Sequence, residues 1–415
     1  MDEAVTGLRC ALCGTVHESG STEYVCPNCG EDGILDVLYD YDLVRRTMTR
    51  ESLAGNPDRS IWRYAPLLPV ADRGARPNLQ IGWTPLYRVD RLGKEVGLSR
   101  LFIKDDGRNP TASLKDRASA LALSRADTLG FDVVATASTG NAASSLAGLA
   151  ASMGRQCVIF VPEAAPPAKV AQLLVYGATV FAVRGTYDDA FDLCLKVCDD
   201  QGWYCRNTGY NPFMAEGKKT VALEICEQLE FQVPDWIVVS AGDGCITDGV
   251  GKGLWDLLQV GLIDRMPRIL SVQSSGSAAL YQAWSAGGEA IAPVQADTVA
   301  DSISVNKPRA GIKALRAVRR TEGRFVAVPD DEILASGRLL GAKAGVFAEP
   351  AGAAPLAGVV QMLSEGVIGR DDSVVVVVSG NGLKDAAGAS RGAGRPISVA
   401  ADGSDLAAGM AQAGL

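Results

Sequence analysis

Short apolar segments alternate with helix-length segments from about residue 81 to about residue 380 of this 415-residue chain. The predicted strands are nearly continuous apolar runs at residues 101–104, 133–138, 157–161, 180–183, 236–240, 269–273, 325–328 and 374–379. The predicted helices lie between most of them, at residues 113–129, 140–153, 167–176, 187–200, 216–231, 247–260, 331–344 and 352–365. Continuous apolar strands alternating with helices are typical of parallel sheets covered on both faces. The pattern predicts an α/β protein, and ~300 residues favour two domains over one compact core.

Two cysteine pairs stand near the N-terminus, in Cys10-Ala-Leu-Cys13-Gly14 and Cys26-Pro-Asn-Cys29-Gly30. A glycine after each pair permits the tight turn that directs two thiolates at one ion, and four thiolates make a tetrahedral zinc site. The alternative is four free cysteines in an unstructured segment. Because the flanking residues are acidic rather than basic, we interpret the zinc site as structural and not as a nucleic-acid-binding module.

The chain has a single histidine, His17, which limits the possible mechanisms. Triads of Ser, His and Asp, Cys-His pairs and multi-histidine metal sites are nearly excluded, so a general base must be Lys, a carboxylate, Tyr, Cys or a cofactor group. The net charge of −8 argues against a nucleic-acid partner, and no apolar stretch reaches the ~18 residues of a membrane span. The acidic start Met1-Asp2-Glu3 indicates no secretory signal, so we expect a cytoplasmic protein whose other cysteines are reduced.

Lys115 lies in the motif Asn109-Pro-Thr-Ala-Ser-Leu-Lys-Asp-Arg117. Ser113 and Asp116 have the Ser-x-x-Asp spacing of a capping box, which predicts that Lys115 lies in the first turn of a helix. The positive end of the helix dipole disfavours the ammonium form there, and a neutral amine is what a Schiff base requires. Taken alone, a lysine in this position is more often a solvated surface residue.

Three further motifs follow predicted strands. Ala137-Ser-Thr-Gly-Asn141 precedes a helix, where free backbone N–H groups bind an anion, although an ordinary helix N-cap is the alternative. Ala241-Gly-Asp-Gly-Cys-Ile246 has glycines that let the backbone close around one small phosphate, and Asp243 should point away from that anion. Ser379-Gly-Asn-Gly-Leu-Lys-Asp385 ends a very apolar run, so its serine faces the ligand crevice unless the segment is a simple turn.

Together, these four motifs resemble those of the pyridoxal-phosphate enzymes of fold type II, the tryptophan synthase β superfamily. Within that group the chain is similar to threonine synthase and its close paralogues. Asn211-Pro-Phe-Met-Ala-Glu-Gly-Lys-Lys-Thr220 and Glu349-Pro350 are also part of the resemblance, which covers about residues 80–385. It implies a homodimer and a two-domain fold with parallel sheets covered by helices. The predicted parts are a zinc-ribbon-like segment at 1–40, a large domain at 41–130 and 206–385, and a smaller domain at 131–205. The Gly/Ala-rich composition of residues 386–415 predicts a mobile or loosely docked tail.

The resemblance also implies roles for individual residues. Lys115 would form the Schiff base with pyridoxal phosphate and later move protons. Asn141 would hydrogen-bond the phenolic oxygen of the cofactor, and Ser379 would face its pyridine nitrogen. The cofactor phosphate would be held by backbone N–H groups of Gly242, Asp243, Gly244, Cys245 and Ile246. The substrate carboxylate would be received by Ser138 and Thr139.

The reaction that the resemblance implies converts O-phospho-L-homoserine and water into L-threonine and phosphate, so the amino-acid substrate is phosphorylated. Its phosphate requires a second anion site. Side chains of suitable type are Asn211, Lys218, Lys219, Lys307 and Arg309, of which we expect Lys219 and Lys307 or Arg309 to contribute most.

Other functions remain open. Met214 and Asp243 depart from the family pattern, which leaves a paralogue that carries out β-replacement on O-phosphoserine or another activated amino acid, as in a cysteate-synthase-like enzyme. The remaining alternatives are a catalytically silent binding protein of the same fold and a zinc-ribbon adaptor. Lys115, Asn141 and Ser379 occur together with the segment 241–246, which we call the glycine loop. Their joint presence argues against both alternatives.

Overall fold

The computed structural model describes residues 4–18, 24–70 and 74–415, so the acidic Met1-Asp2-Glu3 lies outside the described residues. The strands are β1 (Val5–Cys10), β2 (Val16–His17), β3 (Leu35–Tyr39), β4 (Leu86–Arg88), β5 (Arg100–Asp105), β6 (Val133–Ala137), β7 (Gln156–Pro162), β8 (Thr179–Val183), β9 (Tyr204–Cys205), β10 (Trp236–Ser240), β11 (Arg268–Ser274), β12 (Arg324–Val328) and β13 (Ser373–Val378).

The α-helices are α1 (Tyr41–Thr47), α2 (Arg50–Ala54), α3 (Asp90–Val96), α4 (Lys115–Thr128), α5 (Asn141–Ser152), α6 (Pro167–Val175), α7 (Tyr187–Gln201), α8 (Phe213–Lys218), α9 (Thr220–Gln228), α10 (Cys245–Gln259), α11 (Ala279–Ser285), α12 (Gly311–Arg320), α13 (Asp330–Leu339), α14 (Pro350–Ser364), α15 (Ala386–Arg391) and α16 (Leu406–Ala413). A π-helical turn, Leu340–Ala344, continues α13. Among the described residues, no helix is both long enough and apolar enough to cross a membrane.

Six strands form the largest sheet, in the order β12-β11-β10-β13-β5-β4. All neighbouring strands are parallel except β4, which runs antiparallel to β5. The central strand β13 reads Ser-Val-Val-Val-Val-Val and is almost entirely buried, because helices such as α14 and α10 cover the sheet. The carboxyl ends of β10 and β13 meet at one edge, and the glycine loop and Ser379 begin there.

A second, four-stranded sheet is entirely parallel, in the order β8-β7-β6-β9. The helices α5 and α7 pack against it. The two parallel sheets confirm the predicted α/β fold class, and the domain boundaries stay a prediction. The Gly/Ala-rich tail contains α15 and α16, which its composition did not predict.

The N-terminal segment is a three-stranded antiparallel sheet, β2-β1-β3, which we call the ribbon (residues 4–40). The single histidine, His17, lies in β2. The ribbon packs on the larger sheet's helices, since the Tyr39 hydroxyl donates to Glu216 at 2.6 Å and Lys313 Nζ lies 2.7 Å from Asp36 Oδ1. The ribbon is therefore joined directly to α8 and α12.

Candidate active site

Lys115 is the first residue of α4, as the sequence predicted. The segment before it is held by the loop after β13: the Leu114 N–H donates to the Ser379 carbonyl at 2.9 Å, and the Asn381 N–H donates to the Ala112 carbonyl at 3.0 Å. Ala112 has a φ of +66°, a left-handed conformation that is strained for alanine. The two segments together fix where the Lys115 side chain begins.

The predicted capping box at the start of α4 is wrong. Asp116 accepts hydrogen bonds from the Thr111 backbone N–H, at 2.7 Å, and from the Thr111 hydroxyl. No side chain caps α4, and within the described part of the chain the buried Ser113 hydroxyl has no partner. The carboxylate is drawn to Thr111 because that residue offers two donors, and the helix nevertheless begins where the pattern placed it.

Lys115 opens onto a cavity of about 460 Å³, which we call the main cavity. Its lining is Lys115, Thr208, Lys218, Ser240, Gly242, Asp243, Gly244, Cys245, Ile246, Ser302, Ile303, Val305, Ala351 and Ser379. The structure thus brings together the lysine, the glycine loop and the serine that the sequence placed in one site. Burial lowers the pKa of Lys115, so at a given pH a larger fraction of this amine is neutral than of the amine of a surface lysine.

The glycine loop precedes α10 and turns through Gly244, whose φ of +88° favours glycine. A side chain at Gly242 would also stand 2.9 Å from the Ile303 Cα. No side chain caps α10, so its first backbone N–H groups are available to an anion in the main cavity. Asp243 turns its carboxylate to the Arg309 backbone N–H, at 3.2 Å, in agreement with the expectation that it points away.

Asn141 begins α5 and is linked to Glu349 across the site. Its Nδ2 donates to Glu349 Oε1 at 2.8 Å and to the Ser302 hydroxyl at 3.3 Å. Burial raises the pKa of Glu349, while the charge of Lys115 and the Asn141 hydrogen bond act in the opposite direction. The sequence analysis names Glu349 only as part of the resemblance. Its place before Pro350, the first residue of α14, could have marked it as a residue at the start of a helix.

A second cavity of about 310 Å³ shares Asn141, Ser302 and Glu349 with this site. Thr139 lines it, and the hydroxyl of the preceding Ser138 accepts the Gly140 N–H at 3.2 Å. The remaining lining residues are Gly140, Ser144, Lys169, Gln172, Asp301, Lys384 and Asp385. The second cavity thus joins the start of α5 to the main cavity.

Two buried cations next to the main cavity have nitrogen atoms without partners. Within the described residues, Lys218 Nζ and Arg206 Nη2 make no hydrogen bond, and both side chains belong to residues that are 0% exposed. Arg206 Nη1 donates to the hydroxyl of Thr208 at 2.7 Å, and Thr208 lines the cavity beside Lys218. Burial, and then the charges of Arg206 and Lys115, lower the pKa of Lys218 to about 8.

Of the five candidate phosphate-binding residues, the structure brings Lys218 into the lining of the main cavity, but not Lys219, Asn211, Lys307 or Arg309. Lys219 is buried between Glu216 and Asp256, with Nζ to oxygen distances of 2.5 and 2.6 Å, so its charge is already paired. The adjacent Lys218 lines the main cavity instead, because successive residues of a helix point about 100° apart. This is a correction of the expectation for Lys219.

The other three expected residues also lie elsewhere. Lys307 is largely exposed, 3.4 Å from Asp32, and the Arg309 guanidinium lies on the Phe191 ring at 3.8 Å. Both line a separate surface pocket. Asn211 is buried, where its Nδ2 donates to the Cys205 carbonyl at 2.8 Å and its Oδ1 accepts from the Phe213 N–H at 2.9 Å. Lys307 is thus exposed, Arg309 is held on Phe191, and Asn211 is already hydrogen-bonded, so none of the three lines the main cavity.

The four ribbon cysteines form one group. The Sγ atoms of Cys10, Cys13, Cys26 and Cys29 lie within 4.8 Å of one another. Cys10 and Cys26 are buried, and both pairs stand at tight turns with glycine in the left-handed conformation at positions 14 and 30. This arrangement has the ligand number and ligand type of a closed tetrahedral metal site.

Comparisons with known proteins agree with this geometry. The profile of the family described as "Pyridoxal-phosphate dependent enzyme" matches residues 78–380. The threonine synthase of Methanocaldococcus jannaschii is 38% identical over 396 residues, which cover 95% of this chain and 96% of that protein. The threonine synthase of Methanosarcina acetivorans is 38% identical over 380 residues, covering 91% and 92%.

Solved structures resemble the fold. Threonine deaminase isoform 2 from Solanum lycopersicum superimposes with a TM-score of 0.62 and 21% identity, covering 80% of this chain and 83% of that one. Diaminopropionate ammonia lyase from Escherichia coli gives a TM-score of 0.64 and 22% identity, covering 77% and 88%. At these identities the likeness concerns the arrangement of the chain alone.

Proposed function

Because the chain belongs to the family of pyridoxal-phosphate-dependent enzymes, we propose that it is a threonine synthase, which converts O-phospho-L-homoserine and water into L-threonine and phosphate. The observation that carries this proposal is the main cavity, at which a half-buried lysine, an uncapped helix N-terminus and the buried Lys218 meet, with Arg206 next to it; within the described residues, Lys218 Nζ and Arg206 Nη2 have no hydrogen-bond partner. Such a site suits one phosphate on a cofactor and a second on the substrate.

Two observations support pyridoxal phosphate in the main cavity. Lys115 lines it with a lowered pKa, and the N-terminus of α10 offers uncapped N–H groups. When bound, the cofactor would withdraw electrons from the Cα of the substrate. Lys115 would hold it, and its Nζ would take up and return the substrate proton.

The remaining roles follow the same proposal. Asn141 would donate to the phenolic oxygen of the cofactor, and the Ser379 hydroxyl would face the ring nitrogen without a carboxylate that enforces its protonation. The backbone N–H groups of residues 242–246 would hold the cofactor phosphate. Ser138 and Thr139, at the N-terminus of α5, would orient the substrate carboxylate. Glu349 would accept from Asn141 and fix its orientation.

We assign the substrate phosphate to Lys218, Arg206 and Thr208. Two cations buried close together repel each other, and burial disfavours the charged form of each, as the lowered pKa values of about 8 for Lys218 and about 10 for Arg206 indicate. A dianionic phosphate would satisfy the free Nζ and Nη2 atoms and remove this repulsion. Lys218 would hold and orient the leaving phosphate, while Arg206 would act from behind Thr208.

A substrate panel tests this function. Holoenzyme is incubated with O-phospho-L-homoserine, O-phospho-L-serine, O-acetyl-L-serine or L-threonine, and phosphate and amino-acid products are measured. We expect phosphate and L-threonine in equal amounts from O-phospho-L-homoserine alone. Turnover of O-phospho-L-serine in its place would establish a β-replacement enzyme, and cofactor binding without turnover of any substrate would establish a binding protein.

We also propose a structural zinc ion in the ribbon. The four thiolates complete a tetrahedral shell and leave no open position for catalysis. Metal analysis should find one zinc ion per chain, and Cys26→Ser should lose it but keep pyridoxal phosphate, since the described ribbon residues do not line the main cavity. Cys226→Ser, which changes a buried thiol outside the ribbon, is the matched control. Loss of zinc in the control as well, or its retention in Cys26→Ser, would reject the site.

The homodimer and the cytoplasmic location complete the proposal. Both rest on the sequence resemblance and composition alone. Sedimentation velocity of the holoenzyme tests the homodimer, which requires a single species of twice the chain mass of 43.4 kDa.

A further inference from the structure

Three cysteines outside the ribbon lie close together beside the four-stranded sheet. Cys194 and Cys198 stand one turn apart on α7, and Cys205 is the last residue of β9. All three are free thiols and are at most 5% exposed, and their Sγ atoms lie within 4.8 Å of one another. The proposed reaction uses none of them.

We propose that Cys194, Cys198 and Cys205 form a second metal site, which binds a soft, thiophilic ion through three thiolates. Soft sulfur ligands select ions such as copper(I) and zinc. Three sulfurs about 2.3 Å from one ion in a trigonal arrangement lie about 4 Å apart, which fits the observed spacing.

The ligand number distinguishes between these ions. Among the described residues, the group contains three ligands, and no fourth cysteine, histidine, aspartate or glutamate joins it. A structural zinc ion requires four ligands, whereas three thiolates suffice for copper(I). We therefore assign the site to copper(I), in contrast to the four-thiolate ribbon site.

The surroundings suit an anionic metal–thiolate group. Arg206 follows Cys205 directly, and although its guanidinium contacts the Ser119 and Thr208 hydroxyls rather than the sulfurs, its charge acts on the Cys205 thiolate through the buried interior. Phe191 and Ala190 belong to the same buried cluster and keep water away. The Cys194 thiol donates to Asn207 Oδ1 at 3.9 Å, and the same oxygen accepts from the Ala137 N–H at 2.8 Å, which ties the group to the end of β6; metal binding would replace the thiol's hydrogen bond.

The test uses full-length holoprotein whose ribbon is saturated with zinc, titrated anaerobically with copper(I) against the chelator bicinchoninate. We expect the wild type to take up one copper(I) ion per chain and to melt at a higher temperature when it does, because the native state alone has the site. Cys198→Ser should lose at least nine-tenths of this uptake. Cys157→Ser, which changes a buried thiol of β7 outside the group, should bind copper(I) like the wild type.

X-ray absorption of the copper-loaded wild type gives a second measurement that needs no variant. It should show three sulfur neighbours and no nitrogen or oxygen. The proposal is overturned if the wild type takes up no copper(I), if uptake survives in Cys198→Ser, or if it disappears in Cys13→Ser instead. A disulfide among the three cysteines in protein kept under reducing conditions, or nitrogen ligands in the absorption spectrum, would overturn it equally.

Discussion

At the scale of single residues, two amines share the main cavity in different surroundings. Lys115 begins α4 and is half-buried beside Glu349, whereas Lys218 is fully buried near the end of α8 and has no carboxylate partner. The resemblance of the Asn109–Arg117 motif made Lys115 predictable, although the capping box expected at that helix start does not form. The local sequence does not distinguish Lys218 from Lys219. The packing of α8 between α4 and α10 decides which of the two lysines faces the cavity.

Lys218→Gln should raise the KM for O-phospho-L-homoserine by about 10–100-fold, since a hydrogen bond to a charged group contributes ~1.5–3 kcal/mol. Lys219→Gln should instead act mainly on stability, because it breaks a buried ion pair. Steady-state kinetics and urea unfolding of both variants separate the two effects. A KM effect confined to Lys219→Gln would return the phosphate site to that residue.

The same lysine predicts a pH dependence. With a pKa of about 8, Lys218 is charged below pH 8 and loses its proton as the pH rises through that value, so phosphate binding should weaken above pH 8. The KM of the wild type should therefore rise from about pH 8 upward. Lys218→Arg keeps its charge over this range and should show a flat profile. Identical profiles for both proteins would contradict the assignment.

At the scale of helices and strands, the apolar pattern predicted the eight strands of the two parallel sheets other than β4 and β9, and β10 agrees residue for residue. The strands β2, β4 and β9 were missed because two or three residues carry too little pattern, and β1 and β3 because polar or small residues interrupt their apolar runs. One predicted helix, 216–231, is the pair α8 and α9. Periodicity does not show that break, which falls at the buried Lys219.

A buried charge network joins α4, β5 and α9 behind Lys115. Arg117 donates to Glu224 Oε2 at 2.8 Å and Lys104 donates to the same oxygen at 2.7 Å, and all three residues are 0% exposed. Glu224→Gln should lower the free energy of unfolding by about 3–5 kcal/mol, because it leaves two buried cations short of a carboxylate. Urea unfolding measures this, with exposed Glu332→Gln as the control.

The network also has a pH signature. Burial alone would raise the pKa of Glu224, but the charges of Arg117 and Lys104 hold it at about 2. This pKa is depressed relative to the unfolded value of ~4.3, so its stabilisation is fully present above pH ~4.3 and is lost as the pH falls through about 2. A Glu224→Gln protein as stable as the Glu332→Gln control at pH 7 would contradict this role.

At the scale of the whole molecule, helices beside the smaller sheet meet loops of the larger sheet through polar contacts around the second cavity. Lys384 Nζ donates to the Ser144 hydroxyl at 2.7 Å and to Gln172 Oε1 at 2.8 Å, and Lys169 Nζ lies 2.6 Å from Asp301 Oδ2. Each contact joins residues at least 132 positions apart. The local sequence does not show which distant residues pair. The second cavity and the contacts of Lys384 were therefore not predicted.

Lys384→Met should raise the KM by roughly tenfold, because the loss of two charge-assisted hydrogen bonds loosens the contact between α5, α6 and the loop after β13. Far-UV circular dichroism should stay unchanged. Lys343→Met removes a comparable lysine, paired with Glu95 at 2.6 Å away from both cavities, and should leave the KM as it is. Equal effects of the two substitutions would indicate a general loss of stability instead.

The most direct test of the central claim, that Lys115 rather than Lys218 carries the cofactor, is borohydride reduction of the holoenzyme followed by peptide mass spectrometry. Borohydride makes the lysine–cofactor bond permanent, so the modified lysine can be read from the peptide mass. We predict a cofactor adduct on the peptide with Lys115, none on the peptide with Lys218, and neither adduct nor yellow colour in Lys115→Ala. An adduct on Lys218, or one that persists in Lys115→Ala, would contradict the account.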